Sequence, residues 1–194
     1  DSKKVPDFMV EENFEYLGSE DIDTSRYISR EFFEKEKECM WTRVWQFACR
    51  VEDIPEVGDS LVYDILDWSF LIVRSDENTI KAFYNSCLHR GRRIKTERGF
   101  GNQLECPFHG FCWHLDGSLK FTPAPWDFAH IKDRDFSLPE VRVEIWQGFV
   151  FINMDDNAVS LEEYLDPIPE HHKRWDLGNC KKVIHVSKVV PGNW

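Results

Sequence analysis

The sequence lacks a long hydrophobic run, an apolar leader and an excess of positive charge, and each absence argues against a class of protein. No stretch reaches the roughly 20 apolar residues of a membrane-spanning helix, and the N-terminus has no apolar signal region. The 24 basic and 35 acidic residues give a formal net charge of −11, which argues against nucleic acid as a partner. We therefore predict a cytoplasmic protein that binds neither membranes nor nucleic acids.

Cysteine is also sparse, because only six cysteines are spread over 194 residues. Small secreted domains that depend on disulfides have a much higher density of cysteine. The spacing therefore argues against a disulfide framework and favours metal ligation by some of these residues.

The first half of the chain contains one helical pattern. Residues 1–28 are mostly polar and are predicted to form an N-terminal extension. Ser29 is a candidate N-cap, and the apolar residues that follow are spaced for one buried helix face. We predict a helix from Arg30 to about Phe47.

From Asp59 onwards the pattern is one of short strands separated by turns, such as Asp116-Gly117. This predicts a mainly β (α+β) fold, with an antiparallel sandwich or barrel. A short helix is predicted near Leu161–Leu165, and Lys181–Val190 is predicted to be the first strand of a unit that continues after it. The other predicted strands are Leu61–Leu66, Ser69–Arg74, Thr79–Tyr84, Phe111–Leu115, Ser118–Phe121, Val141–Ile145 and Phe149–Asn153.

The segment that indicates chemistry is a pair of similar loops. They are Cys87-Leu88-His89-Arg90-Gly91 and Cys106-Pro107-Phe108-His109-Gly110, with a polar spacer between them. Each loop follows a predicted strand and supplies one thiol and one imidazole. The candidate metal ligands are therefore Cys87, His89, Cys106 and His109.

Two thiolates and two imidazoles suit either zinc or an iron–sulfur cluster. Zinc sites more often use pairs such as C-x-x-C, in which both ligands of a loop bind the same ion. In a Rieske [2Fe-2S] cluster two cysteines bind one iron and two histidines bind the other, so each loop would give one ligand to each iron. The pattern favours the cluster and leaves a structural zinc site as the alternative.

The two loops resemble the Rieske motif of ring-hydroxylating oxygenase α subunits. Weaker similarity extends to the strand Gly148–Asn153 and to Asn193-Trp194, which resembles the start of that family's catalytic domain. The resemblance implies a Rieske domain over 29–154 that includes the N-terminal helix, with an inserted cluster-binding subdomain at about 85–121. Residues 155–194 would then form a linker and the start of a truncated catalytic domain.

The resemblance also implies a function, that of the electron-receiving part of a terminal oxygenase. Electrons would come from an NAD(P)H-dependent reductase or a ferredoxin. They would pass to a mononuclear non-haem Fe(II) that uses O2 to hydroxylate an aromatic or related substrate. The family usually forms trimers, as α3 or α3β3. No catalytic residues are predicted in this sequence, because the iron site belongs to the absent domain. The alternative is a standalone Rieske ferredoxin, although such carriers are only about half this length.

The resemblance also indicates a subtype. High-potential Rieske proteins place an additional cysteine in each loop, where this sequence has Arg92 and Phe108, and a serine where it has Phe111. Fewer hydrogen bonds to the cluster sulfurs stabilise the reduced state less. We therefore expect a potential near the bottom of the Rieske range, roughly −150 mV.

Several other residues near the loops invite interpretation. A basic group could attract an acidic electron-transfer partner, and it consists of Arg90, Arg92, Arg93 and Lys95. Three aromatic residues could shield the cluster from water or simply form core, namely Phe108, Phe111 and Trp113. We expect no metal at His114 or at His171-His172, and we expect Cys112 to be a small buried residue.

Overall fold

A computed structural model describes residues 18–131 and 134–192. Within this part of the chain ten strands form two antiparallel sheets, which confirms the predicted mainly β fold. The strands are β1 (Gln46–Arg50), β2 (Asp59–Ile65), β3 (Trp68–Asp76), β4 (Thr79–Tyr84), β5 (Gly99–Phe100), β6 (Leu104–Glu105), β7 (Cys112–Trp113), β8 (Leu119–Phe121), β9 (Glu140–Trp146) and β10 (Phe149–Asn153).

The larger sheet has seven strands in the order β1-β10-β9-β4-β3-β2-β5. In the interior strand β3, Phe70–Val73 is completely buried because apolar side chains cover both faces. The smaller sheet, β6-β7-β8, is formed by the chain between β5 and β9, so it is inserted in the sequence between two strands that both belong to the larger sheet. The buried apolar residues of the described chain form three clusters, and one of them contains both candidate cysteine ligands.

The N-terminal helix is shorter than predicted. After the helical turn α1 (Ser25–Ile28), helix α2 spans Arg30–Glu36 and continues as a π-helical turn over Lys37–Trp41. Ser29 is the N-cap, since its hydroxyl accepts a hydrogen bond from the Phe32 amide at 3.2 Å.

The predicted extension of that helix to Phe47 is wrong, because β1 begins at Gln46. The backbone there pairs with β10, and the indole of Trp45 donates to the carbonyl of Val159 at 3.0 Å. The apolar spacing that suggested a helix instead reflects burial against the sheet and the linker. Long-range pairing thus overrides the local pattern.

The chain after β10 lies against the edge of the larger sheet that is formed by β1. It contains α3 (Leu161–Leu165), as predicted, and α4 (Ile168–His172). Arg50 holds the following turn: its guanidinium donates to the carbonyls of Leu177 at 3.2 Å and Cys180 at 2.7 Å. The amide of Lys182 donates to Glu52 at 2.8 Å.

The predicted strand over Lys181–Val190 is wrong. This segment is irregular, and its apolar side chains are exposed, with Val189 at 93%. It pairs with no strand among residues 18–131 and 134–192, so its alternating pattern has no sheet to join there. Residues 1–17 of the predicted extension and the Asn193-Trp194 pair lie outside the described residues. In the part that is described, no helix combines the length and apolar character needed to cross a bilayer.

Candidate metal centre

The two ligand loops fold in the same way. The Gly91 amide donates to the Cys87 carbonyl at 2.8 Å, and the Cys87 amide donates to the Arg92 carbonyl at 2.8 Å. In Cys106–Phe111 the corresponding two bonds measure 3.0 and 2.8 Å. Each loop can reverse direction because its final glycine has a positive φ, 70° for Gly91 and 76° for Gly110. The sequence similarity of the loops is thus a similarity of backbone hydrogen bonding.

These loops bring the four predicted ligands together in two pairs. The Nδ1 atoms of His89 and His109 are 3.1 Å apart, and their ring centroids are 4.8 Å apart. The thiols of Cys87 and Cys106 are both buried and share a hydrogen bond. The sulfurs therefore lie within the protein, while the His109 imidazole is exposed at the surface.

The protonation of the site follows from this burial. Burial raises the pKa of the Cys87 thiol, although the His89 amide donates to its sulfur and opposes that change. Burial, together with the nearby His109 and Arg90, lowers the pKa of His89. The protein without metal thus favours a neutral thiol at Cys87. Metal binding must then release a proton from it.

The donor set fits a binuclear iron–sulfur cluster. Such a cluster needs two thiolates on one iron and two imidazoles on the other, which matches the two pairs observed. A structural zinc ion would need all four donors around one centre. Among residues 18–131 and 134–192, no three His, Cys, Asp or Glu side chains are grouped to hold a single ion. A cluster with two protein ligands for each iron does not require such a group.

The three aromatic residues predicted to shield the site have different environments. Phe111 and Trp113 are completely buried in the apolar cluster that contains Cys87, and the Phe111 ring centroid is 4.9 Å from that of His89. Phe108 is 57% exposed and stacks on His109 at a centroid distance of 3.7 Å. Phe111 and Trp113 thus form an inner wall, whereas Phe108 covers one face of an exposed ligand.

Asn85 supports the first loop, and sequence reasoning did not identify it. Its side chain is buried, and its Oδ1 accepts from the amides of Ile94 at 3.0 Å and Lys95 at 3.1 Å. Its Nδ2 donates to the Lys95 carbonyl at 2.7 Å and to the Ser69 hydroxyl at 3.0 Å. A lone Asn after a strand is a common turn residue, so the sequence contained no signal for this role.

Phe128 is a second residue that sequence reasoning missed. It follows β8 in a loop, yet its ring centroid is 5.4 Å from that of His89 and 5.2 Å from that of Phe111. No motif links this position to the ligand loops.

The four basic residues proposed for partner docking are not equivalent. Arg90 and Arg92 are exposed beside the first loop. Arg93 is exposed but forms an ion pair with Asp64 at 2.9 Å. Lys95 is partly buried. Arg90 and Arg92 are therefore the more available charges on this surface.

The remaining candidates lie apart from the ligand pairs. His114 is exposed beside the turn at Asp116. His172 packs against the rings of Trp146 and Trp175, at centroid distances of 6.3 and 5.2 Å. Cys112 is buried, with its sulfur 3.4 Å from the Gly110 carbonyl oxygen. None of the three belongs to the two ligand pairs, although Cys112 lies beside the second ligand loop.

Comparison with known proteins agrees with this geometry. Residues 44–132 match the family model described as the Rieske [2Fe-2S] domain. The chain is 31% identical to the carnitine monooxygenase oxygenase subunit of Escherichia coli (strain K12), in an alignment that covers 100% of this chain and 53% of that subunit. It is also 32% identical to the 2-aminobenzenesulfonate 2,3-dioxygenase subunit alpha of Alcaligenes sp, in an alignment that covers 100% of this chain and 50% of that subunit. The chain spans about half the length of the curated relatives it matches.

Solved structures give the same result. The quaternary ammonium Rieske monooxygenase CntA superposes with a TM-score of 0.71 and 30% identity, over 78% of this chain and 42% of that one. A naphthalene 1,2-dioxygenase superposes with a TM-score of 0.69 and 28% identity, over 75% of this chain and 33% of that one.

Proposed function

We propose that this chain is the electron-receiving part of a Rieske oxygenase α subunit, since residues 44–132 match the Rieske [2Fe-2S] domain and the whole chain is similar to about half of such a subunit. The observation that supports this most strongly is the sorting of the donors. Two buried thiols lie behind two imidazoles whose Nδ1 atoms are 3.1 Å apart. This pairing is what a cluster with thiolates on one iron and imidazoles on the other requires.

We assign Cys87 and Cys106 to one iron and His89 and His109 to the other. When bound, the cluster supplies a one-electron carrier. The protein contributes the two turns that hold these side chains and an apolar wall that limits access of water to the thiolates. His109 remains exposed, so a redox partner can approach within a short distance of one ligand.

A low reduction potential is part of this proposal. Phe111 occupies the position where a hydroxyl could donate to a cluster sulfur, and it is completely buried. Fewer such donors favour a potential near roughly −150 mV. A midpoint well above zero would contradict this assignment.

Substitution of the ligands tests the proposal, with neighbouring residues of the same type as controls. We expect anaerobic reconstitution with iron and sulfide to give visible absorption and, on reduction, an S = 1/2 EPR signal. Cys106→Ser and His109→Ala should abolish both signals, because each removes one of four ligands. Cys112→Ser and His114→Ala should retain them, since neither side chain belongs to the ligand pairs.

Two results would contradict the assignment. One is a reconstituted protein that is colourless and contains zinc instead of iron. The other is a Cys106→Ser variant with the spectrum of the unaltered protein.

We further propose that an acidic reductase or ferredoxin docks on the basic surface beside the first loop. The protein as a whole is acidic, at −11, so a local group of Arg90, Arg92, Arg93 and Lys95 is a distinctive target. Arg92→Glu should slow reduction by the donor and flatten its dependence on salt, because Arg92 is exposed. Arg43→Glu, which lies before the edge strand β1, is the control. Equal rates in the two variants would refute this docking surface.

The electrons would be used at a non-haem Fe(II) in a catalytic domain beyond this sequence, for hydroxylation with O2. An aromatic or related substrate is one candidate, supported by the similarity to 2-aminobenzenesulfonate 2,3-dioxygenase. A quaternary ammonium compound is the second, supported by similarity to carnitine monooxygenase and to the 27% identical glycine betaine monooxygenase of Pseudomonas aeruginosa (strain UCBPP-PA14). Oxygen uptake by the complete oxygenase with each class of substrate would distinguish them. A cytoplasmic trimer, α3 or α3β3, completes the proposal.

A further inference from the structure

The two candidate histidine ligands have unequal surroundings. The His89 ring packs against two rings that also contact each other. Its centroid is 4.9 Å from that of Phe111, with 30° between the planes, and 5.4 Å from that of Phe128, with 84° between the planes. His109 is exposed, and its stacking partner Phe108 is itself 57% exposed. One imidazole is thus partly buried against two aromatic rings, while the other is exposed to solvent.

Phe128 belongs to neither ligand loop. It belongs to the connection between β8 and β9, which is fastened to the small sheet at its far end. There the Trp113 indole donates to the Phe136 carbonyl at 2.9 Å, and the Leu138 amide donates to the Gly117 carbonyl at 2.9 Å. Close to Phe128, buried Ile131 donates its amide to the Phe128 carbonyl at 2.9 Å.

From this arrangement we propose that Phe128 is a positioning residue that fixes the His89 ring and excludes water from its side of the cluster. The inference rests on the proposed function, since it assumes that the cluster occupies the four donors. Edge-to-face packing holds a ring in one orientation, and the apolar shell around a cluster controls its exposure and potential. Phe128 contacts both His89 and Phe111, so its removal would uncover the side of His89 that it packs against.

The expected consequence is a change at the cluster as well as in stability. Water admitted beside His89 would stabilise the reduced cluster, which carries one more negative charge than the oxidised one. Phe128→Ala should therefore raise the midpoint potential. It should also hasten release of iron to a chelator, by about fivefold if one aromatic contact is lost.

The test compares variants within one loop of the reconstituted protein. Pulsed EPR of the reduced protein after exchange into D2O should give stronger deuterium modulation for Phe128→Ala than for the unaltered protein. Phe128→Tyr, which keeps the ring, should restore the original modulation and potential. Trp126→Ala is the matched control, because Trp126 lies two residues away and is 78% exposed. If Phe128→Ala does not fold, Phe128→Leu removes the ring but keeps an apolar contact, and it should show the same changes at smaller size.

The outcomes separate the two proposals. A protein without the EPR signal in any variant would refute the proposed function. The role of Phe128 alone would be refuted if Phe128→Ala gave a normal EPR signal with the same deuterium modulation and midpoint potential as Trp126→Ala. If Phe128→Ala does not fold, the same comparison applies to Phe128→Leu.

Discussion

Asn85→Ala should weaken the first ligand loop without removing any ligand. The substitution leaves the amides of Ile94 and Lys95 and the carbonyl of Lys95 without their side-chain partner. Ile94 is buried, so its amide cannot be fully compensated by water. An unsatisfied buried group costs about 1–3 kcal/mol, and partial hydration of the Lys95 groups reduces the sum. We expect a loss of about 2–4 kcal/mol in the free energy of unfolding.

Urea unfolding and cluster retention measure this effect. With a typical slope of about 1–3 kcal/mol per molar urea, the midpoint should fall by about 1–2 M. Because the affected amides continue directly from the first ligand loop, iron should be released faster in Asn85→Ala as well. Asn102→Ala is the control, since Asn102 is exposed in a turn between β5 and β6. A midpoint and release rate equal to those of Asn102→Ala would refute the reasoning.

Three other predictions follow from the described contacts. Gly117→Ala should destabilise the fold by about 2–4 kcal/mol, measured by urea unfolding, because φ is +87° and the new Cβ would lie 2.4 Å from a buried ring carbon. At pH 8, iodoacetamide should modify the exposed Cys39 but not Cys49, because burial raises the pKa of the Cys49 thiol to about 12. Equal labelling of the two cysteines in mass spectrometry would contradict this. Arg50→Met should increase hydrogen exchange over 177–182 while leaving the EPR signal unchanged; unaltered exchange would mean that the guanidinium does not hold this turn.

The ligand loops could be predicted from sequence because their chemistry is local. Each is a five-residue turn that begins with a cysteine, ends with a glycine and has a histidine between them. In the structure Cys87–Gly91 and Cys106–Gly110 form matching hydrogen bonds. Most strands were predicted for a similar reason, since alternation and turn residues act over a few positions. The assignment of the four side chains to a cluster stays a prediction that the reconstitution experiment tests.

What the sequence did not reveal depends on distant contacts. The apolar residues around Trp45 are spaced as in a helix, but pairing of β1 with β10 determines their structure. The alternation in Lys181–Val190 predicted a strand, yet a strand requires a neighbour. Phe128 and Asn85 act through the loops they touch, at separations that no local pattern encodes.

The fastening of the linker by Arg50 also bears on self-association. Strand β1 is an edge strand of the larger sheet, and Lys182, Ile184 and His185 line a groove along it together with residues 47–50. An uncovered terminal strand invites other chains to add to the sheet. A variant shortened before Leu177 would keep every ligand but lose this cover, and it should therefore aggregate more readily at high concentration.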